Sequence, residues 1–304
     1  MQIYYSEQYN IDLGVLNYLH PFDGTKFRKV VSGLTRNPAV DIRSPSAPIS
    51  HEIINEFVND LVRMLLVEKK YILRALELPQ IPFLPFNYLD KKILLPMRWG
   101  VAGTLDASQA ALGGKCCWNL AGGYHHASQH SAEGFCIYND IGIAYQELQK
   151  RRKIKSDDKI LIIDVDAHHG NGNARTFMEN KYVTLLDVYN KDIYPNSWST
   201  RNRVDIPVPL KSGVDGEEYL SKYGDALNQL GDDYRIAYVV AGTDVLSSDP
   251  LGGMRLNQDD VVVRERLTFD KLKSMGVPAV FLGAGGYSKA SAPTIAAAIK
   301  GLIE

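Results

Sequence analysis

Lys159–Gly172 reads KILIIDVDAHHGNG. Ile160–Ile163 is a short apolar run without polar alternation, the pattern of a strand buried on both faces of a parallel sheet. Asp164, Asp166 and His168 then follow at every second position, and in an extended chain that spacing sets all three on one side. Gly170 and Gly172 let the chain turn sharply away. Carboxylates and an imidazole gathered at a strand end are half of a metal site. The competing reading is a loop whose aspartates cap a helix and whose histidines are solvated. It leaves two acids and two histidines within Asp164–His169 unexplained.

The same arrangement recurs along the chain. Cys116–Leu120 is an apolar run ending in Ala121-Gly122-Gly123-Tyr124-His125-His126. Ile236–Val240 ends in AGTD with Asp244, Val280–Leu282 ends in GAGGY with Tyr287, and Val183–Leu186 leads into Asp187. Gln2–Tyr5 reads as one more short strand. Helices are predicted over Phe27–Leu34, over His51–Leu66 behind an N-cap at Ser50, over Trp99–Leu112 and over Asp140–Arg152. Residues 41–50 and the proline-rich Leu78–Phe86 are predicted to be irregular. Short apolar runs alternating with helices predict an α/β chain, a parallel sheet flanked by helices on both faces. In such sheets ligands sit beyond the carboxyl ends of the strands. No linker and no repeat divides residues 1–304, so one domain is expected.

With 45% hydrophobic and 23% charged side chains over 304 residues, the chain has ordinary globular composition and ample length for a large core. A net charge of -1 supplies no general attraction to nucleic acid or to an anionic membrane. No apolar run approaches the ~18 residues that span a bilayer, and the opening MQIYYSEQYNID lacks the blocks of a signal peptide. Cys116, Cys117 and Cys136 show no metal-binding spacing, and their odd number argues against a disulfide framework. The expectation is a reduced, cytoplasmic protein, with access to a nucleus if the host is eukaryotic.

Asp166, His168 and Asp244 offer three ligands and leave a position open on a divalent metal, as in a catalytic rather than a structural site. Two carboxylates with one imidazole are an unusual set for zinc, and so anionic a set also tolerates iron(II). A metal-activated water needs a base, and either His125 or His126 can serve. Tyr287, on a glycine-rich turn, can donate its phenol hydrogen to a developing oxyanion. Asp164 can accept from one imidazole and Asn171 from the other. A neutral amide supports an imidazolium less than a carboxylate does, so the two histidines should differ in basicity. Together these groups describe hydrolysis of a carbonyl compound, most simply an amide.

AGGYHHAS…EGFCIYND, IIDVDAHHGNG, AGTDVLSSDP and GAGGY, in this order and spacing, resemble the motifs of the histone deacetylase superfamily. DVYNKDIYP, HPFDG and DPLGG are most similar to its class IV branch. The similarity runs from about His20 to near the C-terminus. It implies an arginase/deacetylase fold with the site at the C-terminal ends of the strands, and zinc on Asp166, His168 and Asp244. It implies His126 as general base and acid, with His125 as its electrostatic partner. Asp164 would pair with His125 and Asn171 with His126, and Tyr287 would polarise the scissile carbonyl. Gly134 and Phe135 would form one wall of an acyl-lysine tunnel and Tyr194 the other. The resemblance also implies a structural potassium ion near Asp164, Asp166, His168 and Asp187. Class I members carry Asp where this chain has Asn171, a departure that agrees with class IV. The implied activity is zinc-dependent deacylation of acylated lysine in peptide or protein, with long-chain fatty acyl preferred over acetyl.

Other readings compete. An acetylpolyamine-type hydrolase of small-molecule acetyl amides would use the same core. A catalytically silent acyl-lysine binder would be expected to have lost a ligand, a histidine or the tyrosine, and all are present. An arginase-type ureohydrolase needs a second metal, but after Gly242 the chain offers Asp244 and Asp249 rather than a closely spaced Asp-x-Asp pair. His20 reads as an incidental loop histidine, with a place near a site mouth as the alternative. The basic run Lys150–Lys155 falls where a helix should end, and cations there favour the helix dipole.

Overall fold

The computed structural model describes residues 1–12, 14, 21–35 and 37–303. His20 lies outside them. Eight strands, β1 (Gln2–Tyr4), β2 (Asp41–Arg43), β3 (Cys117–Asn119), β4 (Lys159–Asp164), β5 (Val183–Asn190), β6 (Ile206–Leu210), β7 (Tyr234–Val240) and β8 (Ala279–Leu282), form one sheet. Their order is β2-β1-β3-β8-β7-β4-β5-β6, and every neighbouring pair is parallel.

Side-chain alternation along the strands divides the interior into two cores. Leu161 and Ile163 of β4, with Val239 of β7 and Phe281 of β8, pack toward the helices Lys26–Leu34, Gly216–Leu227, Gln258–Ser274 and Ser291–Ile303. Ile160 and Ile162, with Tyr238, Val240 and Val280, pack toward the helices His51–Phe57, Lys69–Ala75, Leu95–Leu112 and Asp140–Lys150. Because helices cover both faces, central strands carry uninterrupted apolar runs, which is why β4 was legible as a buried parallel strand. Each fully buried Ile or Leu contributes about 1.5–3 kcal/mol.

The structure departs from the predicted elements at four places. The helix predicted over His51–Leu66 is two, His51–Phe57 and Asp60–Leu65. Asn59 restarts it by accepting the Val62 N–H on its own side chain at 2.8 Å, a local bond that competes with a continuous helix. β2 lies inside the predicted loop 41–50, as a three-residue edge strand. β6, IPVPL, was not predicted because of its prolines. It is an edge strand, and Pro207 and Pro209, two apart and both exposed, withdraw donors from one side only. The helix predicted from Trp99 begins at Leu95, with Pro96 in its first turn.

The helix Asp140–Lys150 starts where Asn139 accepts the Gly142 N–H at 2.6 Å, and it ends at the basic run. Arg151 there folds back onto Glu147 at 3.1 Å. No helix among the described residues is long and apolar enough to cross a membrane.

Candidate active site

The candidate residues follow four strands that are consecutive in the sheet: β3, β8, β7 and β4. Parallel strands end on one edge, and neighbours ~4.8 Å apart bring residues far apart in sequence within reach of one another. β4 ends at Asp164, so the alternation of Asp164, Asp166 and His168 continues through bends rather than along the strand. Those bends are pinned by the aspartates themselves. Asp164 Oδ1 accepts the Asp166 N–H at 3.3 Å, and Asp166 Oδ1 accepts the His168 N–H at 2.9 Å.

Ligand atoms of Asp166, His168 and Asp244 all lie within 4.8 Å of one another, which makes them a candidate metal site. His168 Nδ1 is 3.1 Å from Asp166 Oδ1 and 2.8 Å from Asp244 Oδ2. One N–H cannot serve both carboxylates well, whereas a cation can. The three donors are close enough together to share one small divalent cation such as zinc. Electrostatics point the same way. Burial first, and then the Asp166 charge, push Asp244 up to about 7. Burial opposes the charge on His168, but its hydrogen bonds to Asp166 and Asp244 hold it well above the usual imidazole range. The cluster thus holds a proton where a metal would otherwise balance its charge. Gly285 completes the wall. Its N–H donates to Asp166 Oδ2 at 3.0 Å, and a Cβ there would stand 2.4 Å from that oxygen.

The two histidines after β3 are buried, with rings 4.1 Å apart, in opposite electrostatic settings. His125 Nδ1 pairs with Asp164 Oδ2 at 2.8 Å, and its Nε2 lies 3.8 Å from Asp166. Burial disfavours its charge, but the Asp164 and Asp166 charges outweigh burial and raise it to about 9. His126 Nδ1 instead faces Asn171 Oδ1 at 2.7 Å. Burial, then the charges of His125 and His168, press it well below the usual range, and the Asn171 bond offsets them only in part. At neutral pH one imidazole is charged and its neighbour neutral.

Tyr287 follows β8 and lies edge-on to Phe135, centroids 5.7 Å apart. Burial first, then the Asp166 and Asp244 charges, hold its phenol well above the ordinary range, so it stays a donor. Gly134 has φ +56, and a Cβ there would stand 2.4 Å from the His126 ring, so only glycine fits. Tyr194 sets its ring edge-on to His126 at 5.2 Å and is partly exposed. Gly134, Phe135 and Tyr194, with Glu77, Ile193 and Leu251, line a mouth above His126, His168 and Tyr287. Gly134, Phe135, His126 and Tyr287 also line a second, apolar chamber beside it. Its remaining walls include Phe22, Phe27, Leu76, Leu78, Ile93 and Met97.

Asp187 stands beside Asp164 across the β4–β5 pair. Its Oδ2 accepts the Gly170 N–H at 3.0 Å and pairs with His169 Nδ1 at 2.6 Å, which turns His169 away from the metal cluster and onto Thr200. Asp187 Oδ1 is buried with no hydrogen-bond partner, and burial pushes neighbouring Asp164 up to about 7. An orphaned carboxylate oxygen beside a second buried carboxyl fits a monovalent cation.

Several supporting residues have roles that the sequence did not disclose. Lys26 is fully buried. Its Nζ donates to Ala284 O at 2.8 Å beneath the Tyr287 turn, and burial pushes it down to about 8. Arg264 donates to the carbonyls of Val165 at the β4 end and Gly242 at the β7 end, both at 2.8 Å. Asp140 holds the histidine loop through the Gly123 and Tyr124 N–H groups at 3.0 and 2.8 Å. Asp249 accepts the Tyr287 and Ser288 N–H groups at 2.7 and 3.2 Å. Each acts on backbone away from it in sequence, so even for Asp140 and Asp249, which lie within quoted motifs, the motif did not disclose the contact.

The profile of the histone deacetylase domain matches residues 20–302. Histone deacetylase 2 of Arabidopsis thaliana is 32% identical over 306 residues, which cover 99% of this chain and 78% of that protein. Type-1 histone deacetylase 1 of Dictyostelium discoideum is 33% identical over 180 residues, 56% of this chain and 34% of its own length. Among solved structures, the HDA15 HD domain superposes with a TM-score of 0.73 at 20% identity, covering 99% of this chain and 87% of that one. With a matching profile over nearly its whole length and a relative aligned from end to end, this chain belongs to the histone deacetylase family of hydrolases.

Proposed function

We propose that this chain is a zinc-dependent lysine deacylase of the class IV type, with one catalytic domain, that cleaves the amide of Nε-acyl-lysine. The observation that carries the reading is the pair of imidazoles, His125 held by Asp164 and His126 by Asn171, gathered with Tyr287 around the Asp166–His168–Asp244 cluster. Zinc held by that cluster would supply Lewis acidity toward the scissile carbonyl and the attacking water. His126 Nε2 takes the proton of that water as its oxygen attacks the carbonyl carbon, and the Tyr287 O–H donates to the oxygen that gains charge. His126 then returns the proton to the lysine nitrogen as the C–N bond breaks. His125, kept charged by Asp164, adds electrostatic support to the developing anion. Gly134, Phe135 and Tyr194 orient the lysine stem in the mouth.

Asp249, occupied by the Tyr287 turn, is withdrawn from metal binding, which supports one metal over the two of an arginase-type site. Asn171 in place of an aspartate supports class IV over class I. The apolar chamber beside the mouth supports a long acyl chain, because each methylene buried there gains about 0.8 kcal/mol. A structural potassium ion would take the Asp187 Oδ1 position, near Asp164, Asp166 and His168.

The test is turnover of matched acetyl-lysine and myristoyl-lysine peptides by protein stripped of metal and then restored with zinc. Cleavage that requires zinc and favours myristoyl by at least about tenfold in kcat/KM is expected. Faster acetyl cleavage would keep the chemistry and overturn the class IV preference. Failure on both peptides with cleavage of acetylpolyamines would replace the protein substrate by a small molecule, and failure on all three would leave a silent binder.

A further inference from the structure

A base at His126 Nε2 requires one tautomer, with the hydrogen on Nδ1 and the lone pair on Nε2. His126 does not enforce this by itself. Its Nδ1 faces Asn171 Oδ1 at 2.7 Å, and a carboxamide, unlike a carboxylate, has two different ends. Turned over, Asn171 would present its NH2 to Nδ1, which could then only accept. The hydrogen would move to Nε2, and the base would be lost, as happens when an asparagine holds a catalytic histidine in the wrong tautomer.

Glu133 opposes that turn. Its Oε1 lies 3.0 Å from Asn171 Nδ2, and a carboxylate accepts but never donates, so it tolerates only the NH2 end. Arg175 Nη1 donates to the same Oε1 at 2.5 Å and to Ser131 Oγ at 2.8 Å. Arg175 stands four residues after Asn171 on the helix Asn171–Thr176, so amide and guanidinium meet Glu133 from one helix face. Asn171 is buried, while the Glu133 and Arg175 side chains are 34% and 28% exposed. The ion pair therefore sits at the wet end of the chain and the amide at its dry end.

We infer that Glu133, braced by Arg175, is a positioning residue that locks the Asn171 amide and thereby sets the tautomer of His126. The inference rests on the deacylase reading with His126 as base and deepens it. It also explains how an asparagine can stand at a position where a carboxylate, with two like oxygens, would need no orienting partner.

The experiment compares the zinc-loaded chain with Glu133→Ala, Glu133→Gln and the double variant Glu133→Ala/Asn171→Asp. Turnover is measured on the peptide that the unaltered chain cleaves best, and the His126 ring nitrogens are read by 15N NMR. Glu133→Ala is expected to lose about tenfold or more in kcat, the usual cost of an outer orienting partner. KM should stay within about twofold, and His126 should gain hydrogen on Nε2. Glu133→Gln keeps an acceptor carbonyl, which Arg175 holds toward Asn171, and should recover most of the rate. Asn171→Asp should restore the Nδ1–H tautomer and most of the rate without Glu133. Unchanged kcat and tautomer in Glu133→Ala, a loss confined to KM, or no recovery in either rescue variant overturns the assignment. Thermal melts of each variant show whether it is folded. If the unaltered chain cleaves no amide, the deacylase reading falls, while the His126 spectra still decide whether Glu133 orients Asn171.

Discussion

Tyr287 shows how a single side chain takes its role from its surroundings. Burial and the carboxylates of Asp166 and Asp244 all oppose ionisation, so the phenol is held in its protonated, donating form. Its backbone is fixed by Asp249, so removing the hydroxyl leaves the turn in place. Tyr287→Phe should therefore bind zinc one-to-one while turnover falls by about 10²–10³, the size of a lost oxyanion donor. Full turnover in that variant would take the role from Tyr287; loss of zinc would make it structural. At this scale the sequence was most legible where chemistry recurs at short spacing. Asp164, Asp166 and His168 stand two apart; the need to orient each imidazole named Asp164 and Asn171 as partners, the resemblance implied which histidine each takes, and the structure pairs Asp164 with His125 and Asn171 with His126. The roles of Glu133, though it opens the quoted EGFCIYND, and of Lys26 were illegible for the opposite reason. Their partners, Asn171 and Ala284, are 38 and 258 residues away, and only the folded sheet makes them neighbours.

Elements deliver the site because β3, β8, β7 and β4 lie side by side, an order that apolar runs alone do not state. The runs announced strands and strand ends; the crossovers that set the order arise from packing on two faces. β2 and β6 escaped notice because edge strands are short or carry prolines, which weakens their sequence pattern. Arg264 ties the central pair together from the helix Gln258–Ser274. It is fully buried, and it donates to Val165 O and Gly242 O while pairing with Glu265. Arg264→Ala would leave the Gly242 carbonyl without a donor, the Val165 carbonyl with only the Tyr219 hydroxyl at 3.4 Å, and the Glu265 carboxyl without its counter-charge. A loss of about 3–5 kcal/mol follows, the range for breaking a buried pair. Urea unfolding with an unchanged m-value measures it. A loss below about 1 kcal/mol would mean that the strand ends hold without the clamp.

The whole molecule gathers Asp164, Asp166 and Asp244 on one edge of the sheet, and their balance should govern how stability answers to pH and metal. Without metal, Asp164 and Asp244 are both pushed up to about 7. A carboxyl raised in the folded state stabilises the fold fully below its ordinary value near 4. That contribution is lost as pH rises through about 7. Protons thus support the metal-free fold on the acid side and withdraw their support toward neutrality. Zinc acts in the opposite sense, because binding requires Asp244 ionised and His168 stripped of the proton that Asp166 and Asp244 hold on it. Melts from pH 5 to 8, with and without zinc, should show a metal-induced rise in Tm that is small at pH 5 and grows toward pH 8. A hundredfold excess of zinc over its Kd adds about 2.7 kcal/mol at the upper end. Because the comparison is made at each pH, the background acid stability of the chain cancels. A rise of equal size at pH 5 and pH 8 would mean that binding displaces no protons, and Asp166, His168 and Asp244 would then not be the ligands.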